Sequence, residues 1–190
     1  YFKPYAVCRW SQPAVVGVLR VVKQNDLRPQ SISRIRIRTF AAAAALSCDH
    51  PKNTEEAQYN LAYPVAAALY DGQVGPSQVL PPRIFDNSLL ELADRVKVEV
   101  ASEFEKVFPQ KTYAEVVVHT KDGRELSSGR VEPMWEPPNS LPADAELEEK
   151  FVGIVEPVLG HQKVQELARM IWGFEKMDAI KPLINACIRG

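Results

Sequence analysis

An α+β fold, with an antiparallel sheet and helices packed on one side of it, is what the sequence predicts, and three observations predict it. In SISRIRIRTF, Ile35 and Ile37 alternate with Arg34, Arg36 and Arg38, the two-residue period of a half-buried strand. In TYAEVVVHTKDGRELSSGRV, two alternating runs flank Asp122-Gly123, a hairpin signature. Segments with apolar residues at helical spacing lie before, between and after these strands.

Each element has a local reason. Ser11 is placed to N-cap the first helix, with Pro13 in its first turn, and Val15, Val18, Leu19 and Val22 form its apolar face. After the strand, the alanines of FAAAAAL read as a short helix that packs closely against its neighbours. In NTEEAQYNLAYPVAAALYDG, Thr54 reads as an N-cap, with Glu55 and Glu56 in the favourable first turn. Gly72 is the natural stop, and Pro64 inside the pattern demands a kink or a fresh start. DNSLLELADRV reads as a further helix and KVEV as a short strand ahead of the hairpin. EPMWEPPNSLP is a proline-rich loop, after which ADAELEEKFVGIVEPVL, HQKVQELARMIWGF and DAIKPLINACI read as three closing helices. The expected organisation is a lysine-bearing loop and first helix over residues 1–30, an α+β domain over 31–140, and C-terminal helices over 141–190.

With 46% hydrophobic and 25% charged residues over 190 positions, the chain has the composition of a globular protein able to bury a core. A formal net charge of −1 gives no case for a nucleic-acid or membrane partner. The longest apolar run, FAAAAAL, is far too short to span a bilayer. Cys8, Cys48 and Cys187 are odd in number and widely spaced, which suits free thiols in a reducing compartment, so a cytoplasmic location is expected. Charge is uneven, however. Residues 1–40 carry eight Lys or Arg against one acid, Asp26, and such a quarter attracts anions.

The usual catalytic signatures do not account for the chain. No phosphate-loop motif is present, and His50, His119 and His161 have no second ligand at metal spacing, so no metal is expected. Of the three, only His50, beside Cys48 and Asp49, is retained as a candidate site residue. The row Arg34, Arg36 and Arg38 reads either as a platform for anions or nucleic acid or, the favoured reading, as a solvated edge strand guarded by charge. Trp10 and Trp172 are expected to pack rather than to contact a ligand. Lys3 precedes a proline and is held extended, so Lys3, Arg9 and the following helix start together suit a carboxylate. The same residues also fit a frayed basic terminus.

Three stretches carry a resemblance. FKPYAVCRWSQPAVVGVL resembles the segment of the MmgE/PrpD family in which a lysine-bearing loop leads into a helix. HPKNTEEAQYNLAYPVAAALYDG looks like the family stretch T-x-x-E-A-x-x-S-x-x-Y-x-V-A-x-x-L-x-D-G. VEPMWEPPNSLPADAELEEKF resembles the later pattern of a hairpin and a Gly-Asp-Pro-x-x-Pro-like loop before a helix ending in Lys-Phe. The family includes 2-methylcitrate dehydratase, cis-aconitate decarboxylase and an iminodisuccinate epimerase, metal-independent enzymes of small polycarboxylates that need no cofactor and usually form dimers.

The resemblance implies that this chain is the C-terminal part of such a protein: the α+β lid and the helices that return to a large N-terminal helical domain lying outside it. That would account for a sequence that starts without Met, just before the site lysine. It implies Lys3 as the cation or proton carrier at a substrate carboxylate, with Tyr5, Cys8, Arg9 and Gln12 as substrate-binding neighbours. The family's catalytic His and Asp mostly lie in the other half, so the chain alone is expected to be inactive. Some members carry histidines where this chain has Cys8 and Gln12, Asn60 stands where Ser is common, Tyr59 where Phe or His occurs, and Trp135 where Gly is usual.

Overall fold

The computed structural model describes residues 2–137 and 140–188. The chain divides into two compact units, with the break between Ser140 and Leu141. In the first, α1 (Gln12–Asn25) leads into β1 (Ile32–Thr39). Five helices follow: α2 (Ala41–Ala44), α3 (Thr54–Gln58), α4 (Ala62–Asp71), α5 (Pro76–Val79) and α6 (Asn87–Ala93). Then come β2 (Val96–Val100), α7 (Ser102–Glu105), and the hairpin of β3 (Ala114–Thr120) and β4 (Glu125–Val131).

The α+β class stands, but the sheet is mixed. Its order is β2-β1-β3-β4, and while β3 runs antiparallel to β1 and β4, β2 runs parallel to β1. The reason is the long helical connection between Thr39 and Val96, which carries the chain back to enter β2 in the direction of β1. The edge-strand reading of SRIRIR is corrected as well. β1 is central, hydrogen-bonded to β2 on one side and β3 on the other. Alternation alone reports which face is wet, not how many neighbours a strand has.

That face is held by ion pairs. Arg38 meets Glu103 at 2.5 Å and Glu115 at 2.7 Å, while Arg34–Glu99 and Arg36–Glu125 lie at 3.8 Å. Burial works against the charge of Glu115, yet hydrogen bonds from Arg38 and Ser127 hold its carboxyl below the usual range. On the opposite face Ile35, Ile37, Val116 and Val118 are fully buried, and α1 lies there against β3, β4 and α4. Val15 and Val18 enter this core as predicted, joined by Val21, with Leu19 and Val22 partly buried.

Close approach of α1 to the sheet depends on Gly17. A Cβ there would sit 2.9 Å from Val116 Cγ2 and 3.2 Å from Ser128 Oγ. These two residues lie at a bulge in the β3–β4 ladder, where Ser128 Oγ accepts the Val116 amide at 2.9 Å and Gly129 takes φ 61°. Gly17→Ala gains about 1 kcal/mol of helix propensity. It forces a contact with a β-branched, buried side chain, at about 1–3 kcal/mol. Net destabilisation is expected, visible as a lower urea midpoint, and Gly17→Val should lower it further. A midpoint above that of the parent would show that α1 can shift away from the bulge.

The stretch around Pro64 starts afresh. α3 is capped by Asn53, not Thr54, because Asn53 Oδ1 accepts the Glu56 amide at 2.8 Å while the Glu56 carboxylate returns to Asn53 Nδ2 and the Lys52 amide. The helix ends at Gln58 and α4 begins at Ala62, where Asn60 Oδ1 accepts the Tyr63 amide at 2.8 Å. Gly72, at φ 72°, closes α4 as predicted. Tyr63 is wholly buried and its hydroxyl donates to the Gln78 carbonyl at 2.5 Å. Burial pushes its pKa up to about 12. The folded state therefore keeps this proton where the unfolded chain, near the usual 10, has lost it. Stability from Tyr63 is complete below pH 10 and is lost as pH rises towards about 12. Unfolding free energy should fall by on the order of 2 kcal/mol across that interval, and Tyr63→Phe should flatten the slope.

The second unit consists of α8 (Asp144–Leu159), α9 (His161–Trp172) and α10 (Lys181–Ala186). Gly160, at φ 81°, turns α8 into α9. Within the unit, Trp172 Nε1 donates to Glu148 at 3.2 Å and Lys163 Nζ donates to the Ile188 carbonyl at 3.0 Å. Ile154, Val158, Ile171, Trp172, Phe174 and Ile184 are exposed. Among the described residues no helix is long and apolar enough to cross a membrane.

Candidate functional site

Ahead of a single 3-10 turn at Arg9–Ser11, the segment before α1 has no ladder or helix to satisfy its backbone, so its order depends on individual bonds. Four hold it. The Ala6 amide donates to the Val74 carbonyl at 3.0 Å, and the Cys8 amide donates to the Gln58 carbonyl at 2.8 Å. Gln12, buried as the first residue of α1, sends Nε2 back to the carbonyls of Tyr5 at 3.1 Å and Val7 at 3.0 Å. Val7 enters the core beneath them. These bonds hold the loop as a strap from Tyr5 to Cys8, and Lys3 and Arg9 are exposed on either side of that stretch.

Ser11 does not cap α1 with its side chain. Its hydroxyl donates to the Asn60 carbonyl at 2.7 Å, with both residues fully buried. That carbonyl is the one Pro64 would have engaged had it carried an N–H, so the α4 break and the start of α1 satisfy each other. Trp10, next in the turn, packs edge-on against Phe40 and Phe108, which stack at 4.5 Å.

A second segment, Pro133 to Pro137, meets the strap. Arg9 forms an ion pair with Glu136. The Tyr5 hydroxyl, its pKa raised by burial, donates to Met134 Sδ at 3.7 Å. Between these contacts lies Trp135, buried and at φ 57°, the left-handed region that favours glycine. Glu136 also lines a polar cavity of 160 Å³ with Gln110, Lys111, Thr112, Glu132 and Ser140. Ligand pockets more often run to about 300–1,000 Å³, so the cavity is a recess beside the strap, and Lys3 and Arg9 face outward.

The five residues singled out in the sequence thus share one strap. Lys3, Tyr5, Cys8 and Arg9 lie on it, and Gln12 holds it from beneath. Cys8 is half-buried, and its carbonyl closes the turn to the Ser11 amide at 3.0 Å. Glu136 went unread, because an acid in a proline-rich loop has no spacing relation to Arg9. The available signal was Trp135 beside it, at a position where the resemblance implies a Gly. The other candidates are engaged elsewhere: His50 with Asp94 at 2.7 Å, and the Arg34, Arg36 and Arg38 row with its carboxylates. Among the described residues no group of three His, Cys, Asp or Glu side chains is placed to hold a metal.

A mixed sheet with helices on one face, a basic loop anchored ahead of α1 and a following helical unit define an α+β chain. The chain belongs to the MmgE/PrpD family: the model for the MmgE/PrpD C-terminal domain matches residues 5–176. Tyr5, Cys8, Arg9 and Gln12 lie within the matched span and Lys3 just before it. No curated protein matches the chain.

Gln12→Met keeps the side chain's length and removes both donations to the strap. Leaving buried carbonyls without partners should cost about 1–3 kcal/mol. The local signature is faster amide exchange over residues 5–8, read by mass spectrometry, with the exchange of β1 and β3 unchanged. Uniform loss of protection would mean that Gln12 supports the core rather than the strap.

Proposed function

We propose that this chain is the C-terminal portion of a metal-independent lyase or isomerase acting on a small polycarboxylate, by removal of a proton next to a carboxylate. The observation that carries this reading is the strap: in a chain of this family, buried Gln12 and two backbone bonds hold a loop that presents Lys3 and Arg9 outward. Proton removal beside a carboxylate builds enolate-like charge, and fixed cations lower its energy more than mobile ones, because they need not reorganise as the charge develops. Lys3 supplies the cation or proton carrier and Arg9 grips a carboxylate, with Tyr5 and Cys8 beside them. The abstracting base comes from an N-terminal helical domain, so the chain alone does not turn over. Dehydration and epimerisation share this first step, while decarboxylation builds the same enolate-like charge by loss of CO2 and then takes up a proton.

The exposed apolar side chains of α8, α9 and α10 suit the docking of that helical domain, since uncovered patches of this kind mark interaction surfaces. A homodimer in the cytoplasm, where free Cys8, Cys48 and Cys187 would stay reduced, fits the same picture. The anion or nucleic-acid platform on Arg34, Arg36 and Arg38 is less favoured, because the three guanidiniums meet four carboxylates, Glu99, Glu103, Glu115 and Glu125, and the row carries no net positive charge.

The test is proton exchange at the carbon next to a carboxylate, followed by NMR in D2O with a panel of polycarboxylates. The chain assembled with a helical domain should exchange and the chain alone should not. In the assembled protein Lys3→Ala is expected to slow exchange by about a hundredfold or more. The melting temperature should move little, because Lys3 is exposed. Equal losses of exchange and stability would remove Lys3 from the site.

A further inference from the structure

We infer that Glu136 is a positioning residue for Arg9, and that the segment Pro133–Pro137 is a second arm of the carboxylate site; this rests on the reading of the strap given above. Three observations meet here. Glu136 contacts the Nη2 edge of Arg9. The residue before it, Trp135, occupies a left-handed backbone region that a bulky side chain seldom adopts, and such a residue persists only where its surroundings over-determine it. The surroundings are visible: the Trp135 amide donates to Ser140 Oγ at 3.1 Å, the Ser140 amide returns to the Glu136 carbonyl at 3.0 Å, and Tyr5 reaches Met134 from the strap. The backbone is bent into an unfavourable conformation at the position that delivers a carboxylate to Arg9.

The pair has a direction. The Glu136 side chain is 23% exposed and the Arg9 side chain 45%, so the acid is recessed and the guanidinium stands in front of it. An arginine carries its N–H donors in a planar fork, and the Arg9 side chain, 45% exposed beside Glu136, can be reached by an incoming carboxylate. An unheld arginine would lose much rotamer freedom on gripping a ligand, and Glu136 removes part of that loss beforehand. The opposing effect, repulsion between Glu136 and the ligand carboxylate, is weakened by water around a half-exposed guanidinium. Orientation outweighs repulsion in this setting.

Citrate is the probe, titrated calorimetrically into the 190-residue chain at fixed ionic strength, with NMR relaxation of the Arg9 Nε–H as a second readout. The unsubstituted chain is expected to bind in the millimolar range, about 1 mM. Arg9→Ala should weaken binding about tenfold. Glu136→Gln, equal in shape, should weaken it about fivefold and raise the fast mobility of the Arg9 Nε–H. Glu136→Asp should recover most of both. Tighter citrate binding by Glu136→Gln would make Glu136 a competitor of the ligand and overturn the inference. A loss in Arg9→Ala with no change in Glu136→Gln would overturn it too, while leaving the carboxylate role of the strap intact. Binding unchanged in Arg9→Ala, or no binding by the unsubstituted chain up to about 10 mM, would remove that role and the inference with it.

Discussion

The hydrogen bond from Ser11 to the Asn60 carbonyl is the constraint on which the arrangement of the first unit depends. Proline at position 64 deprives that carbonyl of its helical partner, so the helix cannot run through residues 59–61 and α4 must begin again. The break puts Asn60 at a junction where its side chain serves the Tyr63 amide and the Asp49 carbonyl, and where the Leu61 amide reaches Ser47. A buried junction this polar is stable only when every group finds a partner. Ser11 completes it from another element, and so fixes where α1 starts. The strap ahead of α1 inherits that placement, and its Cys8 amide bonds the Gln58 carbonyl at the end of α3. A defect in one helix thereby locates a loop far from it in sequence.

The sheet divides the labour between its faces. One carries the isoleucines and valines that α1 and α4 cover, and the other carries arginines answered by glutamates from β2, α7, β3 and β4. Exposed pairs of this kind contribute little stability each. Their effect is on valence: a row of three arginines becomes a nearly balanced surface. The cations of the strap belong to a separate system, in which Arg9 pairs with Glu136.

Much of this was legible in the sequence because it is written in short-range patterns. The strand of Ile35 and Ile37, the hairpin at Asp122-Gly123 and the glycine stop at Gly72 each follow from a local rule. The loop of Lys3, Tyr5, Cys8 and Arg9 was found through resemblance, with Gln12 read as part of it. What escaped is non-local. The parallel pairing of β2 is decided by the path of the helices between Thr39 and Val96. Ser11 looks like an N-cap until the Asn60 carbonyl, 49 residues on and left over by Pro64, claims its hydroxyl. Glu136 has no pattern to betray it, since its partner lies on the far side of the sheet sequence.

The left-handed position of Trp135 has an optical consequence. Three indoles report on three different places: Trp10 beside Arg9, Trp135 beside Glu136, and Trp172 in the helical unit. Trp135 is 7% exposed and Trp172 is 50% exposed, so their emissions separate into a blue component from the buried ring and a red one from the wet ring. The strap and the segment Pro133–Pro137 carry their own chromophores, Trp10 and Trp135, and changes there can be followed in the unlabelled protein by the light it already emits.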